Sequence, residues 1–152
     1  MKNNSRAVRL AVAALSVLLL SNLAAAQDVD VPGNLTMHDS ADPTVGNVLK
    51  EGVPFLHNFG VDNTFIGKNA GNLSMNGQVN TALGANALHS NTTGYNNTAC
   101  GAAALQSNTG GANNTASGFG ALSSNSTGYH NTASGVSALQ GNSSGFDNTA
   151  SG

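Results

Sequence analysis

From Asn63 onward, apolar and polar positions recur with a period of seventeen residues. The pentad Asn-Thr-x-x-Gly begins at Asn63, Asn80, Asn97, Asn114, Asn131 and Asn148, and reads NTFIG, NTALG, NTACG and then three times NTASG. With that Asn as position one, position eight is Ala70, Ala87, Ala104, Ala121 and Ala138. Position nine is Gly71 in the first copy, then Leu88, Leu105, Leu122 and Leu139. Position twelve is Ser74, then Asn91, Asn108, Asn125 and Asn142, and position fifteen is Gly77, Gly94, Gly111, Gly128 and Gly145. Position sixteen is aromatic in three copies, at Tyr95, Tyr129 and Phe146. Identical intervals repeated this often mark a stacked architecture. The Thr-x-x stretch before each glycine predicts a short strand, although Ala is a weak strand former. Positions eight and nine fit either a strand or one helical turn, and a tight turn is expected there.

One such unit buries too little to fold alone, whereas identical coils about 4.8 Å apart can pair each extended stretch with its copies above and below. In that arrangement Asn80, Asn97, Asn114 and Asn131 form a ladder of side-chain amides. Ala87, Ala104, Ala121 and Ala138 form a second rank, and Leu88, Leu105, Leu122 and Leu139 a buried apolar stripe. The glycines at positions five and fifteen are expected to turn corners with positive φ. The predicted fold is therefore all-β, a parallel β-solenoid or β-roll with one coil per seventeen residues. So small a coil encloses little, which leaves an apolar side to be covered by other chains. A parallel homotrimer, which keeps equivalent coils level, is the expected solution.

The residues before the repeat divide in two. Lys2, Arg6 and Arg9 precede Leu10 to Leu20, an apolar run broken by Ser16, and Ala24-Ala25-Ala26 closes it. This is the pattern of a secretory signal peptide over 1–26, cleaved after Ala26. The apolar run is shorter than the roughly twenty residues needed to span a bilayer, so no membrane insertion is expected once it is removed. Residues 27–62 hold six of the seven acids and all three prolines. Val29, Val31, Leu35 and Met37 suggest short extended pieces, Val45, Val48 and Leu49 one helical turn, and Val53, Phe55, Leu56 and Phe59 an apolar cluster. This segment reads as a cap on one end of the array. The third region, 63–152, holds five full units and a truncated sixth.

Composition narrows the function. Only 8% of the 152 residues are charged and the net charge is −2. After signal removal, two lysines face seven acids, a net of −5. Nucleic-acid binding needs a Lys/Arg-rich face and is not expected. The lone cysteine, Cys100, rules out an internal disulfide and is expected to be a small buried apolar residue. His38, His57, His89 and His130 show no metal-ligand spacing. No acid stands between Asp62 and Asp147, which excludes a calcium-binding nonapeptide roll. Gly141-Asn142-Ser143-Ser144-Gly145 matches G-x-S-x-G, but a nucleophile elbow needs a strand before it and a helix after it, and this stretch is the repeat's own turn. Sequons such as Asn91-Thr92-Thr93 arise from the turn residues that the repeat requires. No catalytic residue, metal or cofactor is therefore assigned.

The units resemble the head repeats of bacterial trimeric autotransporter adhesins and the related NTAxGxxALxxNTTG repeats of surface and tail-fibre-like proteins. Asn63-Thr64-Phe65-Ile66-Gly67 and Asn80-Thr81-Ala82-Leu83-Gly84 are the nearest matches, and later copies replace the large apolar residue by Cys or Ser. The resemblance covers 63–152 and, loosely, the segment before it. It implies a left-handed, trimeric roll on the cell surface and implies no particular ligand. The chain shows no coiled-coil stalk, membrane barrel or chaperone domain of that family, and its end inside a unit suggests a fragment. The expected function is non-enzymatic: an exported adhesin or rigid fibre module, self-associated and binding an unidentified surface ligand. The alternative is an ice-binding or other self-sufficient solenoid that uses the ladder Thr81, Thr98, Thr115 and Thr132. The Leu, Cys and Ser at position four leave that ladder without the second threonine rank of a T-x-T array.

Overall fold

A computed structural model describes residues 47–50 and 52–152, all within the compact unit Met37–Gly152. The proposed signal peptide, and the first part of the capping segment at 27–46, lie outside the described residues. The described chain is all-β and forms one eight-stranded sheet in sequence order. Strands β1 (Val48–Lys50) and β2 (Val53–His57) form an antiparallel hairpin, turned at Gly52 with φ of 76°. Strand β3 (Thr64–Ile66) pairs antiparallel with β2, placing Phe65 opposite His57. From there, β4 (Thr81–Leu83), β5 (Thr98–Cys100), β6 (Thr115–Ser117), β7 (Thr132–Ser134) and β8 (Thr149–Ser151) stack in parallel. Every parallel pair joins residues seventeen apart, Thr81 to Thr98 and Ala82 to Ala99 for example. The chain is a parallel β-solenoid with one coil per repeat.

Alternation along each three-residue strand decides what is inside. The middle residue points in, so Phe65, Ala82, Ala99, Ala116 and Ala133 are buried, and the threonines before them face out. Position four also faces out, which corrects the expected burial of Cys100: the thiol is exposed on β5, and Ala99 takes the interior place. Val48 and Leu49 likewise lie in a strand and not in a helical turn, because β1 is the outer arm of a hairpin that extends the sheet.

Positions eight and nine solve a different problem. Consecutive residues of a strand point to opposite faces, yet Ala87 and Leu88 are both buried, as are Ala104 with Leu105 and Ala121 with Leu122. The leucines achieve this in the left-handed region, with φ of 52° at Leu88, 50° at Leu105, 52° at Leu122 and 52° at Leu139. Such a conformation costs a non-glycine residue about 1–2 kcal/mol. Two gains offset it. The side chain is buried, and its amide donates to the next coil, Leu88 N to Ala104 O at 3.1 Å and Leu105 N to Ala121 O at 3.0 Å. The leucine stripe therefore lies inside a single chain, whereas the small coil had been expected to leave an apolar side that only other chains could cover.

The two glycine positions differ in cause. Gly84, Gly101 and Gly118 at position five have φ of 135–138°. The glycines at position fifteen have no such φ, which corrects the expected corner. There a Cβ on Gly94 or Gly111 would strike the carbonyl of the next coil's equivalent glycine, so close approach is the constraint.

Candidate functional site

Two buried amide ladders converge on that position-fifteen carbonyl. In the first, Asn97 Nδ2 donates to Asn80 Oδ1 at 3.1 Å and Asn114 Nδ2 to Asn97 Oδ1 at 3.1 Å, and Asn131 Nδ2 continues to Asn114 Oδ1 at 3.0 Å. The backbone amides of Asn97, Asn114 and Asn131 donate to the same oxygens. In the second, Asn108 Nδ2 donates to Asn91 Oδ1 at 3.0 Å and Asn125 Nδ2 to Asn108 Oδ1 at 2.8 Å. Gly94 O accepts from Asn80 at 2.9 Å and from Asn91 at 3.0 Å, and Gly111 O accepts in the same way from Asn97 and Asn108. Of the ladder residues named from sequence, Asn80, Asn97, Asn114 and Asn131 form the first ladder. Ala87, Ala104, Ala121 and Ala138 line the core with Leu88, Leu105 and Leu122, and Leu139 packs half-buried at its end. These residues hold coils together and, Leu139 apart, are buried.

The capping segment starts the first ladder. Asn63 has no earlier Asn to bond, and its Nδ2 donates instead to Phe59 O at 2.9 Å and to Gly77 O at 3.0 Å. Phe59 packs partly buried on the core beneath it.

What the outside offers falls into four regions. The sheet face carries the outward threonines of β3 to β8, beside Ile66, Leu83, Cys100, Ser117, Ser134 and Ser151 at position four. At position six, beyond the glycine bend, Phe119 and Val136 are exposed, each two residues after a sheet-face serine, Ser117 and Ser134. A third edge holds the position-sixteen aromatics. Tyr129 and Phe146 stack one coil apart with centroids 5.0 Å apart and planes 3° from parallel. Beside them His130 lies edge-on to Tyr129 and its Nδ1 is 3.3 Å from Asp147 Oδ1, both side chains exposed.

The fourth region is a cleft of about 520 Å³ at the start of the array, lined by Val53, Pro54, His57, Asn69, Leu73 and His89. His57 is buried and tilts over Phe65 with centroids 4.9 Å apart. Its Nε2 donates to Ala70 O at 2.8 Å, which leaves Nδ1 as an unpartnered acceptor. Burial lowers its pKa from the usual 6.5, and the bond to Ala70 opposes that shift. Sequence reasoning gave His57 no role, since it sits in an apolar cluster without motif spacing. Its neighbour across the cleft, His89, contacts Asn69 O at 3.3 Å, and the two histidines have no acid among the lining residues. Ser90 supplies the one hydroxyl of the lining, and no carboxylate lines the cleft.

Among the described residues, no group of three His, Cys, Asp or Glu could hold a metal, and no helix is long and apolar enough to cross a membrane. The G-x-S-x-G match is indeed part of the repeat turn. Asn142 Nδ2 bonds Asn125 Oδ1 at 3.1 Å and Gly145 O at 3.4 Å, and Ser143 O accepts from Ser126 N at 2.8 Å. Comparison with protein-family models, with curated proteins and with solved structures gives no match.

Proposed function

We propose that this chain is an exported, non-enzymatic repeat module of the adhesin or fibre type, acting as a homotrimer on a bacterial surface. One observation carries this reading. From the second coil onward the interior is occupied by Ala, Leu and paired Asn side chains, with Phe65, Ala70 and Met75 filling the first, and the same ladder bonds join successive coils. Adding coils therefore lengthens a rod without opening a cavity, and only the repeated outer surface is left to meet a partner. The leader over 1–26 and the likeness to autotransporter head repeats support export and surface display.

The trimer rests on outward apolar side chains and no longer on the leucine stripe. Leu83 and Cys100 at position four and Phe119 and Val136 at position six are exposed, and chains packed in parallel would cover such apolar side chains. Sedimentation velocity of the purified mature chain tests this, with three copies expected and Leu83→Ser/Phe119→Ser dissociating them. In the trimer, oxidation with copper phenanthroline joins two chains through Cys100. A monomer that unfolds cooperatively rejects the oligomer. Beads coated with the chain should also be retained on immobilised host-type glycans and matrix proteins more than albumin-coated beads. Equal retention rejects adhesion.

A second reading is favoured by a separate observation, the unbroken outward rank Thr81, Thr98, Thr115, Thr132 and Thr149 on strands in perfect register. Such a rank orders water at strand spacing, as an ice binder requires. Thermal hysteresis in the purified chain, abolished by Thr115→Tyr, would select it over adhesion.

A further inference from the structure

The aromatic rank at position sixteen has a gap, and the gap has the shape of a binding site. Its register is set by the backbone: Asn113 N donates to Tyr95 O at 3.0 Å, His130 N to Ala112 O at 3.0 Å and Asp147 N to Tyr129 O at 3.2 Å. Tyr95, Ala112, Tyr129 and Phe146 thus occupy the same place in successive coils. Where two aromatics are neighbours, as at Tyr129 and Phe146, they stack face to face at 5.0 Å. Tyr95 and Tyr129 are two coils apart, about 9.6 Å at the usual strand spacing, and between them stands the small, nearly buried Ala112. The same coil is trimmed again at position fourteen, where Gly110 lies between Thr93 and Thr127. A Cβ on Gly110 would meet nothing nearer than Thr93 Oγ1 at 3.4 Å. One coil is therefore cut back at both surface positions, while the coils on either side keep a threonine and a tyrosine.

We propose that this notch binds one pyranose ring of a neutral glycan, sandwiched between Tyr95 and Tyr129. The proposal rests on the adhesion reading and names the ligand class. Three features select a sugar. A flat aromatic held on both faces needs two contacts of about 3.5–4.0 Å, less than the gap provides. A pyranose is thicker than a flat aromatic, because its puckered ring and axial hydrogens stand off the mean plane on both faces, and it suits a gap wider than two such contacts. A ring with all substituents equatorial presents an apolar face to both tyrosines, which points to the glucose and N-acetylglucosamine configurations. The rim is hydrogen-bonding: Thr93, Thr127 and the Asn96–Asn113 amide pair, whose Nδ2 to Oδ1 distance is 3.2 Å, with His130 and its partner Asp147 beside Tyr129. Finally, no Lys or Arg occurs from Asn69 to Phe146, and His130 beside Tyr129 is already paired with Asp147, so a phosphate-bearing ring such as a nucleotide would find no lysine or arginine from that stretch.

Tyr95 and Tyr129 are the chain's only tyrosines and it has no tryptophan, so intrinsic fluorescence reports on this site alone. The full mature chain is titrated with chitohexaose and cellohexaose. A saturable change in tyrosine emission is expected with at least one of them. Ala112→Tyr supplies the residue that the flanking coils already carry there, so it fills the notch with the fold kept. It should weaken binding at least about tenfold, with an unchanged denaturation midpoint, and Tyr129→Ala should do the same. No saturable signal with either sugar, or equal affinity in Ala112→Tyr, overturns the proposal. If Ala112→Tyr beads still adhere as well as the parent, adhesion stands and only the notch fails. If parent beads fail to adhere as well, the adhesion reading falls separately.

Discussion

Phe65 lies over Gly71 so closely that a Cβ at residue 71 would stand 2.6 Å from its ring. In the next three coils the same two places hold Ala and Leu, both fully buried. The first coil has exchanged the volumes: a large residue at position three and none at position nine. Gly71→Leu should therefore overpack the end of the core and cost about 1–3 kcal/mol. Phe65→Ala should leave a cavity and cost about 3–5 kcal/mol. The double variant rebuilds the pattern of the next coil, so its cost should fall below the sum by at least about 1 kcal/mol. Urea denaturation of the four chains measures this coupling, and simple additivity would contradict the exchange.

Adjacent glycines should behave oppositely. A Cβ on Gly111 would collide with Asn108 Oδ1, with the Gly128 carbonyl and with Asn125 Nδ2, all parts of the inter-coil ladders. Gly111→Ala should cost about 3 kcal/mol or more, among the larger single-residue effects. Gly110 has open space and no positive φ. Gly110→Ala should stay within about 1 kcal/mol of the parent, on the stabilising side, because it restricts the unfolded chain. Thermal melts of the two variants give the comparison.

Asn113 and Asn114 offer a similar pair. Asn114 is fully buried, donates to Asn97 Oδ1 at 3.1 Å and Gly128 O at 2.8 Å, and accepts from Asn131. A carboxylate there would turn an oxygen toward two acceptors. With two buried donors lost at about 1–3 kcal/mol each, Asn114→Asp should cost about 2–6 kcal/mol. Asn113 is exposed and only accepts from Asn96, a bond that Asp retains. Asn113→Asp should change stability by less than about 0.5 kcal/mol. Equal losses in denaturant midpoint would mean that the buried ladder does not hold the stack.

Much of this was readable from spacing alone. Asn at positions one and twelve, Ala at eight and Leu at nine recur so strictly that the coil length, and the residues that share it, follow from counting. How Leu88 and Leu105 reach the core did not follow, because leucine has no preference for positive φ and only the stacked neighbours impose it. Cys100 was misplaced for a related reason. Hydropathy favours burying Cys over Ala, but the interior of β5 has room only for the methyl group of Ala99. Gly84 and Gly94 look alike in sequence, yet one answers to its own dihedral and the other to a carbonyl seventeen residues away. The hairpin of Val48–Lys50 and Val53–His57 lies before the repeat, where no period constrains it. On the surface, the aromatic rank was visible as three residues at position sixteen. That Ala112 is a gap in it, and not merely a missing aromatic, needed the register of the coils.

His57 should make the protein less stable in mild acid. Burial holds its pKa below the ordinary 6.5, and the hydrogen bond to Ala70 O only partly opposes this. As pH falls through 6.5 the unfolded chain takes up a proton that the folded chain still refuses. The unfolded state then binds more protons, and stability rises with pH across that interval. The contribution is complete above 6.5 and is lost as pH falls from there through the folded value. Below that value both states are protonated and the loss levels off. His57→Gln keeps an amide that can donate to Ala70 O and cannot titrate, while His38, His89 and His130 remain in both chains. Denaturation midpoints measured from pH 8 to pH 4 should therefore diverge. The parent should lose stability below about pH 6.5 more steeply than His57→Gln. Parallel curves would mean that the imidazole is protonated as easily in the folded chain as in the unfolded one.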